Sequence, residues 1–68
     1  MKTYVNFIGD TEKLTSNVLE KDSILGFLTQ QNLFEVTDDN SDWIEIYARI
    51  GEIEHFFYVQ PSDIKIAK

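Results

Sequence analysis

The chain has no cysteine. Disulfide bridges and thiolate metal sites are therefore excluded, and the composition suits a reducing, cytoplasmic setting. Glycine is scarce, and Gly9, Gly26 and Gly51 lie far apart, so no glycine-rich phosphate loop exists. Bases are few: 6 Lys and Arg face 12 Asp and Glu, for a formal charge of -6. No basic patch is present, and direct binding to nucleic acid is not expected. Nor is any run long and apolar enough to span a membrane. The first ten residues, MKTYVNFIGD, carry one lysine and only a short, interrupted apolar stretch, which does not read as a secretion signal. At 68 residues the chain is expected to form a single domain, 1–68, too small for a deep preorganised pocket.

What is present centres on Asp42–Gln60, DWIEIYARIGEIEHFFYVQ. It reads as one β-hairpin with Gly51-Glu52 as a two-residue turn, glycine supplying the positive φ. Antiparallel pairing then sets Ile50 against Ile53, Ala48 against His55, Ile46 against Phe57 and Ile44 against Val59. These share one side, apolar except for His55, and make the core face. The other side pairs Arg49 with Glu54, Tyr47 with Phe56, Glu45 with Tyr58 and Trp43 with Gln60. One register thus yields a core, an aromatic pair and an opposite-charge pair together.

The remaining segments follow from pattern. Lys2–Ile8 alternates and is rich in strand formers, giving a first strand. Residues 9–12 are a turn. Leu14–Leu19 alternates and reads as a second strand, although Asn17 and Glu20 could instead open a long helix as a capping box. Asp22 or Ser23 is a suitable helix N-cap, Ile24, Leu25, Phe27 and Leu28 form the apolar stripe, and Asn32 suits the exit. Gly26 lowers helix propensity but could permit close packing on the sheet. Leu33–Thr37 is the next strand, and residues 38–41 a polar turn. Pro61 interrupts the ladder, and Ile64 and Ile66 mark a short final edge strand guarded by lysine. The expected fold is α+β: about five antiparallel strands, in the order ββαββ plus a short terminal strand, packed by one short helix.

Candidate chemistry is thin. Asp38, Asn40 and Asp42 repeat the first spacings of a calcium loop, but Trp43 stands where the sharp turn wants glycine. Arg49 stands where the bidentate acid should be. Opposite Ala48, His55 suits a core histidine, and no catalytic triad can be assembled from it. Glu45, Glu52 and Glu54 could supply paired carboxylates but lie on a ribbon without a cleft. No catalytic, cofactor-binding or metal-binding residue is assigned.

The charge is localised. From Glu35 to Glu54 there are seven acids and one base, Arg49, so the whole imbalance sits on the hairpin and the loop before it. Combined with aromatic residues on the outer face, this suggests a non-enzymatic module that binds a basic protein, an inhibitor among the options. Trp43, Tyr47, Phe56 and Tyr58 would supply the buried centre of the contact, and Glu45, Glu52 and Glu54, with Asp38, Asp39 and Asp42 of the loop, the steering rim. Two alternatives remain: a DNA mimic occupying the nucleic-acid groove of an enzyme, and a homodimer or structural assembly joined through the aromatic face.

Overall fold

The computed structural model describes residues 1–15, 19–40 and 42–67. Five strands are formed: β1 (Tyr4–Phe7), β2 (Phe34–Asp39), β3 (Ile44–Ile50), β4 (Ile53–Val59) and β5 (Ile64–Ile66). One α-helix, α1 (Lys21–Gln30), lies between β1 and β2, and 3-10 turns occupy Thr11–Leu14 and Pro61–Asp63. All strand pairs are antiparallel, in the order β4-β3-β2-β1-β5. The architecture is α+β, one sheet packed by one helix.

The β3–β4 hairpin pairs Ile50 with Ile53, Ala48 with His55, Ile46 with Phe57 and Ile44 with Val59, as the sequence register requires. Gly51 sits at φ 66°, in the left-handed region that a tight turn demands and that glycine enters without cost. On the core face Ile44, Ile46, Ala48, Ile50, Phe57 and Val59 are buried, together with Val5 and Phe7 of β1 and Phe34 of β2. From α1, Ile24 is buried, with Phe27 and Leu28 packed beside it. An edge-to-face chain of rings, Phe27–Phe34 at 5.3 Å and Phe34–Phe57 at 6.1 Å, ties helix to sheet. Ile53 is the exception on this face: next to the turn, it stays 43 % exposed.

Three local expectations are corrected. Leu14 does not open a strand. It closes the 3-10 turn begun by Asp10, whose carboxylate accepts from the Glu12 N–H, and its fully buried side chain plugs the core. The rest of the expected strand at Ser16, Asn17 and Val18 lies outside the described residues. The helix begins earlier than Asp22 or Ser23, with Glu20 at the N-cap position, where its carbonyl accepts from Ser23 and Ile24. Gly26 is not at a close approach: an added Cβ would meet nothing within 4 Å.

At the helix exit, Asn32 adopts φ 39°, and its N–H and that of Gln31 both donate to the Phe27 carbonyl. Its side-chain carboxamide then accepts from the Phe7 N–H at 2.8 Å and donates to the Phe7 carbonyl at 2.9 Å. Those are the two bonds a strand peptide would make, so the carboxamide extends the β1–β2 ladder beyond Val5–Phe34.

β4 and β5 are the two sheet edges, yet only Gln60 and the 3-10 turn connect them. Laid flat at about 4.8 Å per strand, they would stand about 19 Å apart. A 3-10 turn rises only about 2 Å per residue, so the sheet must coil. Asp63 holds the junction. Its carboxylate accepts from Lys13 Nζ at 2.9 Å and from the Gln60 N–H at 3.1 Å, and its carbonyl accepts from the Ile8 N–H. No helix of the described residues is long and apolar enough to cross a membrane.

Candidate functional site

The helix and the buried residues occupy one side of the sheet. Strand alternation places Tyr4, Glu35, Tyr47 and Phe56 on the other, in one row across β1, β2, β3 and β4. A second row runs Asp38, Glu45, Tyr58. The register between these rows shifts by one residue at a bulge between Val36 and Asp38. The extra residue, Thr37, turns its hydroxyl onto Glu45, donating to the carboxylate at 2.8 Å. Trp43 precedes β3 and completes the aromatic set. Trp43, Phe56 and Tyr58 are 51 %, 55 % and 62 % exposed, which for side chains this large leaves substantial apolar area in contact with water.

Tyrosine hydroxyls organise the carboxylates of this face. Tyr47 donates to Glu54 Oε2 at 2.6 Å, and its ring packs on Phe56 with centroids 5.1 Å apart. Tyr58 is the cross-strand partner of Glu45. Its hydroxyl, followed by the bond from Thr37, holds the Glu45 carboxyl below the usual carboxylate range. The Tyr47 and Tyr58 hydroxyls are pushed up, chiefly by their bonds to Glu54 and Glu45. At neutral pH this leaves the Glu45 carboxylate ionised and the Tyr47 and Tyr58 phenols neutral. Arg49 and Glu54 are cross-strand neighbours, as expected, but they form no ion pair; Glu54 is turned to Tyr47 instead.

Asp38, Asn40, Trp43, Glu45 and Tyr58 line an open depression of about 530 Å³. A second depression is lined by Lys13, Trp43, Tyr58, Gln60 and Asp63. Trp43 and Tyr58 border both and form the ridge between them. No family model, curated protein or solved structure matches this chain.

The expected contact residues are not all brought together. Glu45, Tyr47, Glu54, Phe56, Tyr58 and Asp38 share the outer face. Asp38 and Asp39 belong to β2 rather than to a turn, because the bulge carries the strand two residues further. Asp39 lies opposite Ile44 and so shares that residue's side, not the side of Glu45. Asp42 is exposed beside Trp43, whereas Glu52 is exposed in the hairpin turn at the far end of the ribbon. Sequence reading missed Tyr4, Glu35 and Thr37. Tyr4 and Glu35 join the face only through pairing between strands remote in sequence, and Thr37 only through the bulge.

His55 is buried at 8 % exposure, stacked on Phe57 with centroids 5.8 Å apart, on the side of the sheet opposite Glu45 and Glu54. It shares no site with those carboxylates. Its Nε2 has no hydrogen-bond partner among the described residues. Among those residues, no three His, Asp or Glu side chains gather as a metal site would require.

Proposed function

We propose that the protein is a small non-enzymatic binding module that docks the outer face of its sheet onto a basic protein, with inhibition of that protein as one outcome. The observation that carries this reading is the exposure of Trp43, Phe56 and Tyr58 on the side of the sheet away from α1, interleaved with Glu45 and Glu54. Exposed aromatics flanking a shallow depression are the usual anchors of protein interfaces. The surrounding carboxylates would steer a basic partner into place. Two features help preorganise the surface: Tyr47 is fixed between Phe56 and Glu54, and Glu45 between Tyr58 and Thr37. A cytoplasmic location is part of the proposal. The DNA-mimic reading is the weaker one, because aromatic rings separate the carboxylates of the face and the hydroxyls of Tyr47 and Thr37 occupy two of them.

The test compares capture of basic proteins from an extract of the native host by three baits: wild type, Trp43→Ala with Tyr58→Ala, and Glu45→Gln with Glu54→Gln. Each bait must retain the wild-type circular dichroism spectrum. The aromatic variant should lose retained partners at all salt concentrations, through faster dissociation. The carboxylate variant should lose them mainly at low salt, where steering matters. Equal retention by wild type and the aromatic variant would refute the proposal, and greater loss from the carboxylate variant would favour a DNA mimic.

A further inference from the structure

The two edges of the sheet are built differently. β5 has three residues and places Lys65 in the middle, a short and charged edge of the kind that discourages pairing. β4 has seven residues, with no lysine, no proline and a regular register against β3. Among the described residues it has a neighbour on one side only.

Which backbone groups of β4 are free follows from hydrogen-bond parity. The two-residue turn makes Ile50–Ile53 a bonded pair, so Ile53, His55, Phe57 and Val59 bond to β3. The Glu45 carbonyl agrees: it turns the other way, toward β2, where Thr37 donates to it. Glu54, Phe56 and Tyr58 therefore direct their N–H and C=O groups outward. The same three residues carry side chains of the exposed face.

We infer that β4 pairs with β4 of a second copy, antiparallel and centred on Phe56, to give a continuous sheet across a two-fold axis. This register sets Phe56 against Phe56 of the second copy and Glu54 against Tyr58 in both directions. About six backbone hydrogen bonds result, two from each bonded pair. It also suits the charges, since no carboxylate opposes another: Glu54 meets a tyrosine, and Glu52 meets Gln60. Moving the centre to Glu54 would place two carboxylates face to face. Moving it to Phe57 would recruit Gln60, whose N–H already donates to Asp63. Centring on Phe56 also joins the two aromatic rows, so that Tyr47 and Phe56 continue into Phe56 and Tyr47 of the second copy. The contact is along the edge, leaving the outer face of each copy open.

Sedimentation velocity from about 10 μM to 1 mM, with residue-resolved hydrogen exchange at both ends of that range, tests this pairing. The expected result is a monomer–dimer equilibrium in which the Glu54, Phe56 and Tyr58 amides gain at least tenfold protection at high concentration. Phe56→Lys, a charge placed on the two-fold axis, should be monomeric throughout while keeping the wild-type circular dichroism spectrum. If that variant does not fold, the exchange data on the wild-type chain still decide. A monomer at every concentration, or association in which those three amides stay fast, overturns the inference. Either result leaves the docking of a basic partner on the outer face to its own test.

Discussion

Removing the Asp63 carboxylate should cost far more than removing an ordinary surface acid. Asp63 is 4 % exposed, and its two oxygens are held by Lys13 Nζ and the Gln60 N–H. Hydrogen bonds to a charged group are worth about 1.5–3 kcal/mol. Lys13 and Gln60 can both turn to water when the partner is lost, so we expect about 2 kcal/mol for Asp63→Ala. With an unfolding entropy of about 2.1 cal/mol/K per residue, 68 residues convert that into a fall in Tm of about 14 °C. The pH dependence carries the sign. The hydrogen bond from Lys13 is the largest influence holding the Asp63 carboxyl below its ordinary value, with the Gln60 N–H adding to it and burial opposing it. A carboxyl lowered in the folded state contributes its stability in full above the unfolded value of about 3.9. It loses that contribution as pH falls through the folded value. The Tm gap between wild type and Asp63→Ala should thus be widest near pH 7 and shrink below about pH 4. Circular dichroism melts from pH 7 to 2.5 measure it. A gap under about 3 °C at pH 7, or one that persists undiminished at pH 2.5, refutes the reasoning. Gly9→Ala provides a cross-check, because its Cβ would lie 2.5 Å from Asp63 Oδ1. It should be strongly destabilising alone and much less so beside Asp63→Ala.

Two further predictions concern stability. Gly26→Ala should raise stability by about 0.5–1 kcal/mol, since the position is helical and a Cβ meets open space; unchanged or lower denaturant midpoints would contradict this. His55→Leu removes a buried ring nitrogen without a partner from beside Ala48 and should be neutral or stabilising by about 1 kcal/mol. A melting temperature several degrees below wild type would show that the imidazole is not an unpaired filler.

The hairpin was legible because its signals are local. Gly51 names the turn, the turn fixes the register, and the register places seven residues of each strand on the correct sides. The segment before α1 was not, because alternation over Leu14–Leu19 resembles a strand, while Leu14 is apolar for a different reason: it plugs the core from a 3-10 turn. The end of β2 was misread because aspartates 38 and 39 look like a turn. A bulge at Thr37, which no residue type announces, lets them pair with Glu45 and Ile44. Once Asp38 and Asp39 belong to a strand, alternation sends them to opposite sides of the sheet, so only Asp38 can join Glu45 on the outer face. Glu54 was assigned to Arg49 by proximity across the strands. The Tyr47 hydroxyl, one step along the diagonal, takes it instead.

Asn32 imposes an unusual restriction on what the chain can tolerate. Its backbone must enter the left-handed region, which glycine and asparagine accept and most residues resist. Its side chain must also donate and accept at once to match the Phe7 peptide group. Glycine meets the first demand and fails the second. Aspartate lacks the donor, and glutamine has the amide but on a longer stem and with little taste for that φ. Position 32 therefore behaves as a lock with one key, although it is neither core nor contact surface. In a library of variants scored only for folding, it should be as intolerant as the buried phenylalanine two residues later.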